Sequence, residues 1–183
     1  MPKSFLNNHL IRGLRNNNPG NLKRGASAWQ GKIPFPQSKD KTFEQFSSVA
    51  YGIRAMYKDL IHDINKGKNT VKSLISEYAP KEENNTEAYI NKVCKTLGIK
   101  PTDKLTSINS AFLLVLGRAI VKVEIGKDHV LITDDDLKEG LSLLGDVSTK
   151  SLTVNIMPEK IKPFIPAIIF VVVFFCSLGM KII

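Results

Sequence analysis

Amide, aromatic and basic side chains cluster early in the chain. Arg12-Gly-Leu-Arg15-Asn16-Asn17-Asn18-Pro19-Gly20-Asn21-Leu22-Lys23 is followed by Ala28-Trp29-Gln30-Gly31. Amide side chains carry both donors and acceptors. Beside an aromatic ring they suit a sugar, which presents hydroxyls at its edge and C–H groups on its face. Asn17, Asn18, Asn21 and Trp29 are therefore candidate sugar-binding residues, with Tyr78 as a second sugar-facing aromatic. The same residues also describe a turn-rich loop around a core Trp, because Asn, Pro and Gly are turn formers. Tyr51 and Tyr89 read as core. His9, His62 and His129 are scattered, with no Cys or His at ligand spacing. No metal site and no cofactor are expected.

The elements that must position these side chains are helical. The first forty residues are loop, punctuated by Gly25, Gly31, Pro34 and Pro36 and held by the apolar anchors Leu22, Trp29 and Phe35. After Ser47 or Ser48 as N-cap, apolar residues from Val49 to Ile64 recur at helical spacing, and Gly67 stops the run. A short helix runs from Thr70 as N-cap to Pro80. A third begins at Thr86 as N-cap and ends at Gly98. The fourth, about Thr106 to Glu124, is apolar nearly all round, the pattern of a central core helix. A fifth opens with Thr133-Asp134-Asp135-Asp136, a capping-box pattern with acids at the positive end of the helix dipole. The fold class is mainly α, with little strand signal.

The charge is uneven. The net is +9, and residues 1–60 hold ten basic and three acidic side chains. A basic field attracts polyanions, including nucleic acid, anionic lipid and the acidic cell wall, without choosing among them. Cys94 and Cys176 fall in different parts of the chain, so no disulfide framework is implied. The N-terminus lacks the apolar core of a signal peptide. Phe164–Met180 is a stretch without a charged residue, flanked by Lys160, Lys162 and Lys181. It is long enough for a single span. The expected organisation is a domain over 1–145, a linker over 146–162 and a transmembrane anchor over 163–183.

The string RGLRNNNPGNLK, then W-Q-G, then D-x-x-F-x-x-F-x-S ahead of Tyr51-Gly52-Ile53-Arg54-Ala55, resembles a family of phage virion proteins related to lysozyme-like murein hydrolases. Ala79-Pro80-Lys-Glu-Glu83-Asn84-Asn85-Thr86 and Ala119-Ile120-Val121-Lys-Val-Glu124-Ile-Gly126 fit as well. The resemblance covers about residues 11–145. It implies a lysozyme-like helical domain cleaving the glycan strands of peptidoglycan, of the lytic transglycosylase or glycoside hydrolase type. It also implies a place in the virion. With the C-terminal span, that place is the internal membrane of a membrane-containing phage, with the domain on the capsid-facing side. Peptidoglycan, lipid membrane and capsid proteins are the expected partners, and nucleic acid is not. The alternative is a non-catalytic virion protein that packs under the capsid or binds peptidoglycan.

The implied chemistry needs a carboxylic acid at the scissile glycosidic oxygen. Ordinary glycosidases add a second carboxylate, whereas a lytic transglycosylase works with one Glu because the sugar's own hydroxyl attacks. The acid must be partly desolvated to stay protonated. Two candidate catalytic residues fit, Glu124 at the end of the apolar helix and Glu83 in Ala-Pro-x-x-Glu-Asn-x-Thr. Around Glu124 the chain reads Val-Glu-Ile-Gly where the family pattern resembles His-Glu-Asn-Gly. Asp40 and Glu44 remain as other carboxylates.

Overall fold

The computed structural model describes residues 1–81, 85–106 and 108–145. The helices are α1 (Arg12–Arg15), α2 (Val49–Asn65), α3 (Val71–Tyr78), α4 (Thr86–Leu97), α5 (Ser110–Ile125) and α6 (Asp134–Ser142), with a 3-10 turn at Gly126–Leu131 between the last two. Isolated antiparallel bridges join Lys23 to Phe43, Lys32 to Phe46 and Thr70 to Lys104. No strand forms among the described residues.

The helix starts follow their caps. The Ser48 side chain accepts from Tyr51 N, Thr70 and Ser73 close a capping box, and so do Thr133 and Asp136. Each cap satisfies backbone donors that a helix start leaves free. Two starts differ from expectation. Asn85, not Thr86, caps α4 by accepting from Ala88 N, which frees the Thr86 hydroxyl to donate to Ala79 O at 2.6 Å. Helix α5 begins at Ser110, because the Asn109 side chain takes Phe112 N.

Two helices share the centre. Helix α2 buries Val49, Ile53, Met56, Tyr57, Leu60 and Ile64, and α5 buries Phe112, Leu113, Leu116, Ala119, Ile120 and Val121. Helix α5 is not enclosed on every side, since Val115 is exposed. Helix α6 packs on α2, α4 packs on both α3 and α5, and α1 meets α5. Burying a Leu or Ile side chain contributes roughly 1.5–3 kcal/mol, so this common core sets the spacing of the helices.

The expectation of a lysozyme-like domain carrying a C-terminal transmembrane helix is corrected. Among the described residues no helix is long and apolar enough to cross a membrane. Helix α2 has 17 residues and carries Arg54, Lys58, Asp59 and Asp63. The most apolar helix, α5, has 16 residues and carries Arg118, Lys122 and Glu124. Residues 146–162 and 163–183, expected as linker and anchor, lie outside the described residues. The architecture is a mainly helical one.

The N-terminal loop is fixed by its own asparagines. Asn16, Asn17 and Asn18 are fully buried. Asn17 Nδ2 donates to Ser4 Oγ and Phe46 O, and its Oδ1 accepts from Phe5 N. Asn18 Nδ2 donates to Leu22 O and Glu44 O while its Oδ1 takes Leu22 N. Asn17 and Asn21 have φ of 49° and 48°, a left-handed conformation that Asn tolerates better than most residues. Trp29 packs against the small cluster of Leu22, Phe46 and Ala55. Phe35 is no anchor: it is exposed, between the Arg24 and Lys41 cations at 4.9 and 4.7 Å.

The loop seats on α2 where the helix has no side chain. A Cβ on Gly52 would lie 1.8 Å from Asn17 O. Gly to Ala inside a helix ordinarily stabilises by about 1 kcal/mol. Here the neighbour is backbone and cannot step aside. Gly52→Ala is therefore expected to destabilise the protein, on the order of 1–3 kcal/mol as for other overpacked sites, and a urea titration against the wild type measures it. A stabilised variant would show that the loop is not seated on α2.

Candidate active site

A cleft of about 590 Å³ opens beside the end of α5, within the range of small-ligand sites. One wall is the loop, with Gly20, Asn21, Lys23, Trp29 and Phe43. The other carries Asp59 and Asp63 from α2, Glu77 and Tyr78 from the end of α3, and Glu124 from the end of α5. Helix α5 stops there because Gly126 adopts φ 69°, which a side chain would resist. Glu124 is thus held in the last turn of a core helix, with its carboxyl in the cleft.

Two side chains hold that carboxyl. Asn21 Nδ2 donates to Oε2 and the Tyr89 hydroxyl donates to Oε1, each at 2.9 Å. Burial raises the Glu124 pKa above the ordinary value of 4.5, against the opposing effect of these hydrogen bonds. Desolvation disfavours the charged form and so retains the proton. Burial, joined by the nearby Glu124 charge, also raises the Tyr78 and Tyr89 phenols, so both stay neutral. The Tyr78 hydroxyl donates to Gly20 O, which ties the end of α3 to the loop across the cleft.

Of the candidates drawn from the sequence, Asn21, Trp29, Tyr78 and Glu124 come together here. Asn17 and Asn18 do not. They are corrected to scaffold, because every hydrogen bond described above points into the protein. Glu83 lies outside the described residues. Glu44 is fully buried under Lys32 Nζ at 2.7 Å and Gly25 N at 3.0 Å and does not itself line the cleft. For Asp40, burial would raise the pKa, but hydrogen bonds from Asn16, Phe43 N and Thr42 N and the Arg12 charge outweigh it and hold the group below its ordinary value. Such a carboxyl stays ionised and makes a poor acid.

Sequence reasoning missed Asp59, Asp63 and Glu77, and took Tyr89 as core alone. Asp59 and Asp63 stand at i and i+4 of α2, a spacing that places them on one face, but nothing local says that this face borders a cleft. Glu77 is paired with Lys68 Nζ at 2.8 Å. The Asp59 carboxyl has no hydrogen-bond partner among the described residues. Its pKa is raised to about 6, first by burial, then by the charge of Asp63. Among the described residues no cluster of His, Cys, Asp and Glu could hold a metal ion.

No protein-family model matches the chain. Protein P5 of Pseudoalteromonas phage PM2 is 36% identical to it over 137 residues, a match that spans 73% of this chain and 81% of that protein.

Asp59 gives a pH test of the cleft. Its pKa rises from 3.8 unfolded to about 6 folded. The neutral form is favoured by folding, so this contribution is complete below about pH 4 and is lost as pH rises through about 6. Asp59→Asn should therefore gain stability over the wild type at pH 7, by at most about 2–3 kcal/mol, and show no gain at pH 3.5. Thermal unfolding at the two pH values measures it, and an equal difference at both would mean that the carboxyl is fully solvated.

Proposed function

The chain belongs to the family of phage protein P5, and from that premise we propose that it is a virion-associated enzyme cleaving the glycan strands of bacterial peptidoglycan. The observation that carries the proposal is Glu124, a desolvated acid at the end of a core helix, opening on a cleft with an aromatic and amide wall. Such a carboxyl remains protonated at a pH where an exposed one is ionised, as a general acid must. A phage that infects a walled cell meets this polymer.

In this reading the sugar ring lies along Trp29, which packs against the cluster of Leu22, Phe46 and Ala55, and the glycosidic oxygen approaches Glu124. Asn21 Nδ2 only donates, so Oε2 is kept as an acceptor and the transferable proton belongs to Oε1. The Tyr89 hydroxyl beside Oε1 can accept as well as donate. As the proton leaves, the carboxylate that forms finds Asn21 and Tyr89 already oriented to donate to it. Stabilising charge with preset dipoles lowers the barrier without reorganisation.

Asp59 bears on the reaction type. A transglycosylase uses the substrate's own hydroxyl and needs no second carboxyl. A hydrolase uses a second carboxylate to activate water or form a glycosyl-enzyme. With a pKa near 6, Asp59 is ionised above that pH and could take a proton from water. The second reading, a non-catalytic virion protein that binds peptidoglycan or packs under the capsid, is favoured by Val123 and Ile125, which flank the acid without polar support.

Incubation of the protein with purified sacculi, followed by mass analysis, tests the reading. Wild type should release muropeptides, and Glu124→Gln should lower release at least about 100-fold, the usual size of an acid-catalytic contribution, while its unfolding remains cooperative. Anhydro products with an active Asp59→Asn variant identify the transglycosylase. Reducing ends, with Asp59→Asn nearly inactive, identify the hydrolase. No release by the wild type overturns the enzymatic reading and leaves the structural one.

A further inference from the structure

A second cavity, of about 410 Å³, lies next to the cleft and has the opposite electrostatic character. Its walls carry Arg12 and Arg15 from α1 and Lys39 and Lys41 from the facing loop, against one carboxylate, Asp40. That carboxylate is already occupied. Its Oδ2 meets Asn16 Nδ2 at 2.8 Å and Arg12 Nε at 3.4 Å, and its Oδ1 accepts Thr42 N and Phe43 N at 3.0 Å. The polar residues Asn16 and Gln45, both buried, line the same cavity, joined by a hydrogen bond of 2.9 Å. The Lys39 side chain is exposed and has no partner among the described residues.

The two cavities share a boundary. Phe43 lines the cleft, and the Arg12 guanidinium lies over its ring, 4.9 Å from the centroid. A molecule in the cleft therefore needs to pass only the edge of one aromatic ring to reach the cations. In peptide-bearing strands the N-acetylated sugars are uncharged, because the lactyl carboxyl of the muramic acid is taken up in its amide to the stem peptide, so a basic pocket has no use for the glycan itself. The negative charge of peptidoglycan resides in the carboxylates of its stem peptides. Guanidinium and ammonium groups bind carboxylates through charge-assisted hydrogen bonds, and the planar guanidinium does so bidentately.

We propose that the Arg12–Arg15–Lys39–Lys41 pocket binds the stem-peptide carboxylates of the strand whose sugars occupy the Glu124 cleft. This rests on the reading of the cleft as a glycan site and adds a selectivity to it. The protein prefers peptide-bearing strands to bare glycan. Arg12 is fixed by Asp40 and Phe43, and Arg15 by its donation to Leu10 O at 2.6 Å. Lys39 and Lys41 supply the adjustable contacts, Lys41 giving up its hydrogen bonds to the Phe35 and Ser38 carbonyls as the carboxylate arrives.

The test measures binding to the full chain carrying Glu124→Gln, so that strands are not consumed. The probes are peptide-bearing glycan strands and strands stripped of peptide by an amidase, with the lactyl carboxyl that this frees blocked as its methyl amide. The peptide-bearing strands should bind about tenfold more tightly, a difference of about 1.4 kcal/mol. Adding Lys39→Gln and Lys41→Gln should erase that difference and leave the affinity for stripped strands unchanged. The difference should also shrink as salt screens the charges. Equal affinity for both strands, untouched by the lysine substitutions, overturns this inference and leaves the glycan cleft standing. Binding of neither strand overturns both. Tight binding to phosphatidylglycerol vesicles that the lysine substitutions abolish, with no effect of the stem, assigns the pocket to a lipid headgroup and also overturns it.

Discussion

The seating of the Asn17 carbonyl on the bare surface of Gly52 is the contact on which the rest of the molecule depends. It lets a loop of turn residues lie against α2 at backbone distance, without intervening side chains. The buried amides of Asn16, Asn17 and Asn18 then replace the hydrogen bonds that a loop would otherwise make to water. A buried polar group without a partner costs about 1–3 kcal/mol, so the network is stable only when it is complete. Once the loop is seated, Gly20 and Asn21 have no freedom to place themselves. Gly20 O meets the Tyr78 hydroxyl and Asn21 meets Glu124. The cleft is thus closed on one side by a loop that is tied to α3 and α5 at Gly20 and Asn21.

Electrostatics divides this loop-and-helix frame into two territories. Asp40 and Glu124 are both carboxyls with hydrogen-bond donors, yet their environments push them in opposite directions. Asp40 meets two backbone N–H groups, an amide and a guanidinium, and loses its proton more easily. Glu124 meets one amide and one phenol at the end of an apolar helix, and burial prevails. Separating the proton affinities of two carboxyls by environment is how one fold keeps one ionised and another protonated at the same pH. Phe43 lies between the territories, touched by the Arg12 cation and lining the acidic cleft.

The order of α2 to α6 and the starts of three of them were legible because each is decided locally. Ser48, Thr70 and Thr133 cap the helices they precede, and the apolar spacing of α2, α4 and α5 names the faces that pack. A helix of this kind needs only its own period and its caps to be read. Glu124 was picked out because the resemblance implies a desolvated acid and the chain carries a carboxyl at the end of its long apolar run.

Local signals could not separate the asparagines. Asn17, Asn18 and Asn21 are alike as residue types, and whether an amide faces backbone or an open cleft depends on Gly52, Phe46 and Glu44, which lie far along the chain. Asp59 and Asp63 were hidden for the same reason, since the solvated flank of α2 becomes a cleft wall only when α3, α5 and the loop converge on it. Tyr89 has the spacing of a core residue and is one, while its hydroxyl reaches Glu124 on another helix. The sequence by itself determined helices α2 to α6, the caps of α2, α3 and α6 and the presence of an acid at the end of α5, because hydrophobic period and capping act over a few residues. Tertiary structure alone decided which polar side chains are scaffold and which are site, because desolvation and hydrogen-bond geometry are set by neighbours that the chain brings together only when folded.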